Sequence, residues 1–120
     1  MKKIFTLTLL FSLFQLTAQN FTRRDSLQGG MRFERSCYDV QRYDLNIKIN
    51  PEEKTIAGYN EVTFDVIQDT KKIQLDLFEN MNIDSIVFNK KKLTYKRDND
   101  AVFINFSSAL PQNSSQKLRF

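Results

Sequence analysis

An all-β fold, a mostly antiparallel β-sandwich, is predicted for this chain of 120 residues by three apolar runs of period two between Tyr38 and Phe78 and by the turn chemistry that separates them. In the first run Tyr43, Leu45, Ile47 and Ile49 share one side while Asp44, Asn46, Lys48 and Asn50 share the other, the alternation of a half-buried strand. Ile56, Val62, Phe64 and Val66 repeat the pattern in phase, and Ile73, Leu75 and Leu77 supply the third run. Between the first two runs, Asn50-Pro51-Glu52-Glu53 suits a type I turn: Pro51 presets φ and Asn50 can bond neighbouring backbone. Residues 38–66 are therefore expected to form one long hairpin. Gly58 interrupts its second strand and is expected to mark a bulge or twist point.

Taken in order from the amino terminus, residues 1–18 have the form of an export signal. Lys2 and Lys3 make a basic start, Ile4 to Phe14 an apolar core, and Leu16-Thr17-Ala18 ends in a small residue suited to cleavage. That apolar stretch is too short to span a bilayer, and no cysteine stands at the cleavage point to accept lipid. The expected location is periplasmic or secreted. Residues 19–35 are polar, without a sustained apolar period, and are expected to be a flexible or extended lead-in. Residues 36–120 are assigned to the sandwich. Ile83, Ile86 and Phe88 suggest a fourth strand, Asn89-Lys90-Lys91 a turn, and Leu93 to Arg97 a fifth strand. Asp98-Asn99-Asp100 closes the next hairpin, and Val102, Ile104 and Phe106 line the inner face of a sixth strand. A loop follows from Leu110-Pro111, and a strand opens at Lys117 and reaches Phe120 still apolar, the expected mark of an incomplete domain.

The formal net charge of +4 falls to +2 once Lys2 and Lys3 leave with the signal, which carries no acidic residue. So weak a field does not single out nucleic acid or anionic lipid as a partner. The one cysteine, Cys37, cannot form an internal disulfide. As a nucleophile it would need a nearby base, and the chain contains no histidine. The same absence removes imidazole zinc sites and serine or cysteine triads. Asp98-Asn99-Asp100 has a calcium-like spacing but lacks the glycine and distal glutamate of such a loop, so a hairpin turn explains it better. Asp76 and Glu79 read as a strand residue and a loop residue rather than a catalytic pair. Lys90-Lys91-Lys92 and Tyr95-Lys96-Arg97 interleave charge and aromatic rings as a single-strand nucleic-acid platform does, yet also as an exposed, solubilised edge does. Sequons stand at Asn20, Asn105 and Asn113 where chance supplies about one or two, and the leader is of bacterial form, so glycosylation is not assigned. No catalytic, cofactor-binding or metal-ligating residue is assigned.

The ordered series Arg35, Tyr38-Asp39-Val40, Tyr43-Asp44-Leu45, Ile56-x-Gly58, Val62-x-Phe64 and Leu75-Asp76-Leu77, continuing through Glu79 to Ile86, resembles the amino-terminal domain of the M1 family of zinc aminopeptidases. It is most similar to exported members of Bacteroidetes type. The resemblance implies a β-sandwich or saddle that packs on a thermolysin-like catalytic domain and helps wall its active-site cavity. It also implies zinc and a peptide substrate for the parent protein, with the HExxH and GxMEN motifs downstream, since neither occurs here. This chain would then have no activity by itself. Two other readings remain open: a free-standing module that binds protein or glycan on the cell envelope, and a family member whose downstream domain has lost its zinc motif.

Overall fold

The computed structural model describes residues 20–120; the expected export signal lies outside them. Two short helices, α1 (Arg23–Gly29) and α2 (Phe33–Ser36), precede the strands. The strands are β1 (Tyr38–Asn50), β2 (Thr55–Val66), β3 (Thr70–Asp76), β4 (Val87–Phe88), β5 (Lys91–Lys92), β6 (Thr94–Asp98), β7 (Ala101–Leu110) and β8 (Ser115–Arg119). They form a five-stranded sheet of order β1-β2-β8-β4-β5 and a three-stranded sheet of order β3-β7-β6. Each pairing described is antiparallel, as the alternation predicts.

The long hairpin forms as expected, closed by Asn50, whose Oδ1 accepts from the amides of Glu52 and Glu53 at 3.1 and 3.3 Å. Its bulge is elsewhere than expected. Gly58 sits in regular register opposite Ile47, and the register shift falls between Val40 and Arg42. Gln41 is the extra residue, and it changes which parity faces inward. Tyr38 and Val40 pair with Val66 and Phe64, while Tyr43, Leu45, Ile47 and Ile49 pair with Val62, Asn60, Gly58 and Ile56. All of these therefore share one face of the sheet despite the switch from even to odd numbers. Gly58 answers a different demand. With φ at +157, a Cβ there would overlap the Asn46 carbonyl oxygen across the hairpin.

The inner faces of the two sheets meet in one core. Val62, Phe64, Val66 and Leu118 come from the first sheet, and Ile73, Leu75, Val102, Ile104, Phe106 and Leu110 from the second. Tyr38 meets Phe64 edge-to-face with centroids 5.5 Å apart, and Phe88 meets Phe106 likewise at 5.1 Å. Burial of each large apolar side chain stabilises by roughly 1.5–3 kcal/mol, so these residues dominate the folding energy. The expected fourth strand contracts to β4, because residues 82–86 take no regular structure. Asn89 and Lys90, with φ of 49° and 65°, make the tight left-handed turn to β5. Leu93 then carries the chain across to the second sheet, where the expected fifth strand is found as β6. The Asp98-Asn99-Asp100 hairpin is present, with Asn99 at φ 53° and Asp98 opposite Ala101.

The lead-in is helical where an extended or flexible segment was expected. Thr22 and Asp25 form a capping box: the Thr22 hydroxyl accepts from the Asp25 amide at 3.2 Å and the Asp25 carboxylate from the Thr22 amide at 2.9 Å. A seven-residue helix is marginal in isolation, so tertiary contacts must hold it. Leu27 is its one buried residue. Around it, Arg23 pairs with Asp98, Arg24 with Asp100 and Arg35 with Asp76. Arg35 also donates to the carbonyls of Leu27 and Gln28, capping the end of α1. Arg32 donates to Gln74 and lies over the Phe103 ring. Both helices thus cover the outer face of the second sheet, making it the middle of three layers.

Asp98 is held below the usual carboxylate range by the hydrogen bond and charge of Arg23. Burial pushes the Asp100 carboxyl up, but its bonds from Arg24, the Glu79 amide and Gln28 outweigh this and leave it lowered. Both groups bind protons less readily folded than unfolded. Their stabilisation is therefore fully present above the unfolded carboxylate pKa of about 3.9 and is lost as pH falls through the depressed folded values. A variant carrying Asp98→Asn and Asp100→Asn should melt below the parent at pH 7, and the two melting curves should converge on acidification. A gap that stays constant to pH 2 would rule out the carboxylates as the clamp. Separately, Gly58→Ala should cost roughly 2 kcal/mol in urea unfolding, and an unchanged midpoint would refute the close backbone approach.

Candidate functional site

Cys37, Asp76, Asp98 and Asp100, singled out in the sequence, are each engaged by the fold. Cys37 is fully buried at the start of β1, its sulfur 3.8 Å from the Lys72 carbonyl oxygen. Burial pushes its thiol up, the reverse of what a nucleophile needs. Asp98 and Asp100 serve as the clamps for α1. Asp100 accepts from Arg24 and Gln28 at Oδ2 and from the Glu79 amide at Oδ1, so both of its oxygens are engaged. Asp76 is bound by Arg35 and Gln74, and Glu79 meets Asp100 through its backbone, so the two carboxylates do not form a pair. Among the described residues no group of three or more His, Cys, Asp or Glu side chains is placed to hold a metal ion.

The basic and aromatic run is dispersed by the change of sheet. Lys90, Lys91 and Lys92 are exposed at the turn and short edge strand of the first sheet. Tyr95 and Arg97 belong to the second sheet. The Tyr95 hydroxyl donates to the Ile83 carbonyl, and Arg97 turns inward to the carbonyls of Leu77, Phe78 and Met81 at 2.8, 2.5 and 2.6 Å. Its guanidinium pins a loop and is not free for a phosphate. Of the sequons, Asn20 and Asn113 are exposed and Asn105 is half-buried within β7.

What the sequence pattern missed is how much of the hairpin stays uncovered. Tyr43, Leu45, Ile47, Ile49 and Ile56 lie on the inward face yet are 49–68% exposed. Their alternation is that of a half-buried strand, but β3, β6 and β7 do not extend over them. Two clefts open along this face. One, of about 450 Å³, is lined by residues including Arg35, Asp39, Tyr43 and Asp76. The other, of about 430 Å³, lies between residues 56–60 of β2 and residues 81–85. Asn60 and Phe120 border both, and the buried Oδ1 of Asn60 has no hydrogen-bond donor among the described residues. Leu45, Ile47 and Ile56 also line the second cleft, so the apolar face and that cleft are one continuous surface. Among the described residues no helix is long and apolar enough to cross a membrane.

No family model and no curated protein matches this chain. Solved structures do. It is similar to the M1 zinc metallopeptidase from Deinococcus radiodurans, to a point variant of that enzyme bound to a Tyr-Ser-Ala substrate, and to a two-domain M1 zinc metallopeptidase variant bound to L-arginine. In each case the identity is 22%, the TM-score 0.59, and the match covers 68% of this chain but 19% of the other. The chain thus shares the fold of one β-rich part of those enzymes and spans about a fifth of their length.

The environment of Cys37 makes a direct prediction. A thiol reagent should label it in the native protein at least about a hundredfold more slowly than in urea, since reaction needs an exposed thiolate. Rapid native labelling would show that the sulfur is accessible and the site description wrong.

Proposed function

We propose that this chain is the amino-terminal β-domain of an exported M1-type zinc metallo-aminopeptidase, docking its uncovered hairpin face on the catalytic domain and walling one side of the active-site cavity. By itself it has no peptidase activity. The observation that carries this reading is the apolar face of Tyr43, Leu45, Ile47, Ile49 and Ile56, left open on a fold shared with part of two-domain M1 metallopeptidases. Export is supported by the basic and apolar leader at residues 1–18, and places the mature protein in the periplasm or outside the cell.

Zinc does not fit this chain's own residues. There is no histidine, the single thiol is buried against a backbone carbonyl, and Asp76, Asp98 and Asp100 are held by arginines. The metal belongs to a downstream domain, where zinc would supply a polarised water for attack on the first peptide bond of a substrate. This domain's share is shape and support. Leu45 and Ile47 are 65% and 49% exposed, so covering what remains of them is worth roughly 2–3 kcal/mol of interdomain stabilisation.

The coding sequence past Phe120 should contain HExxH, and the full-length protein should release amino-terminal residues from peptides in a chelator-sensitive way. In that protein, Leu45→Asp with Ile47→Asp should split a single melting transition in two and lower peptidase activity at least about tenfold. An unaltered melt and activity would show that the face does not meet the catalytic domain. A full-length protein without HExxH, whose open face instead retains an envelope protein or glycan, would establish a binding module in place of the peptidase.

A further inference from the structure

The five-stranded sheet holds β8 between β2 and β4. β8 pairs with β2 from Asp65↔Ser115 to Glu61↔Arg119, after which Phe120 and Asn60 exchange both backbone hydrogen bonds at 2.7 and 2.8 Å. On its other side Val87 pairs with Arg119. Both flanks run on beyond Phe120. β2 extends back to Thr55, paired there with β1 alone, and residues 81–86 lead into β4. The groove of about 430 Å³ lies between these flanks, bordered at its end by Arg119 and Phe120. Where two strands share one neighbour they stand two strand spacings apart, roughly 9–10 Å, the width that one further strand needs beyond Phe120.

The groove presents hydrogen-bonding backbone. In an antiparallel ladder successive residues turn their N–H and C=O to alternate sides. Asn60 faces β8, so Gly58 and Ile56 are the next residues of β2 whose amide and carbonyl turn away from β1 and into the groove. The opposite wall is pinned from behind by Arg97 on the carbonyls of Leu77, Phe78 and Met81 and by Tyr95 on that of Ile83. A pinned wall keeps the groove at strand width.

We infer that this groove is a slot for one further strand, filled by the polypeptide joined to Phe120 in the longer protein proposed above, on which reading the inference rests. The strand continues β8, runs antiparallel to β2 and spans about five residues opposite Thr55 to Tyr59. Its chemistry follows from register. Residues opposite Gly58 and Ile56 fall on the inward face with Leu118 and Phe120 and are apolar. The one opposite Gly58 is large, because Gly58 places no side chain beside it. The alternate residues lie on the outer face, where Arg119 stacks on Tyr59 at 4.2 Å.

Amide hydrogen exchange on the full-length protein tests this. The Gly58 and Ile56 amides should exchange at least about a hundredfold more slowly than an unstructured chain, and a proline at the second residue after Phe120 should abolish that protection while leaving Asn60 protected. Exchange at the unstructured rate overturns the inference, as does protection that survives the proline and grows with protein concentration, which would mean a strand supplied by another molecule. Protection in a protein without HExxH leaves the slot standing and removes the peptidase reading. A chelator-sensitive peptidase with unprotected amides does the reverse.

Discussion

A hairpin longer than the sheet that covers it governs this structure. β1 and β2 run 13 and 12 residues, while the opposing β3 and β6 run seven and five. Near Val62, Phe64 and Val66 the two layers meet and these three side chains are fully buried; toward Ile49 and Ile56 the described residues leave the same face exposed. The stability of the domain resides in the covered half, while the other half leaves its apolar side chains in solvent. Neither half could be lost without changing the role of the remaining one, because a single continuous ladder carries both.

The second sheet is completed from outside by guanidinium groups. Arg23, Arg24, Arg32 and Arg35 fasten two helices that are too short to persist alone, and Arg97 fastens the loop after β3 from the other end. Planar forks suit this duty, since one side chain can satisfy two or three acceptors at fixed angles, as Arg97 does with the carbonyls of Asn99, Met81 and Leu77. It also explains why the carboxylates offer no chemistry of their own: Asp76, Asp98 and Asp100 are spent on anchoring.

Much of the sheet was legible in the sequence because alternation and turn residues act locally. The Asn50-Pro51 turn, the Asp98-Asn99-Asp100 hairpin and the inward face of Val102, Ile104 and Phe106 stand where the pattern placed them. The lead-in helix was missed because it shows one apolar residue, Leu27, and depends on partners more than forty residues away; the Thr22-x-x-Asp25 spacing was its only local sign. The Gln41 bulge had a sign too, in the change of apolar parity between Val40 and Tyr43. Burial of the outer hairpin could not be read at all, since alternation marks which way a side chain points and not whether anything lies above it. For the same reason the groove beside Gly58 had no signature in the residues that form it.

The bulge at Gln41 reaches past its effect on facing. β1 is an outer strand of its sheet, 13 residues with one side of its backbone open. Such a border could template pairing with a second molecule along its whole length, the start of a fibril. An extra residue at position 41 breaks the hydrogen-bonding rhythm there, so a neighbouring copy in step with Arg42 to Asn50 would lose step before Tyr38 to Val40. The same insertion that brings Tyr38 and Tyr43 onto one side therefore also limits self-templated growth.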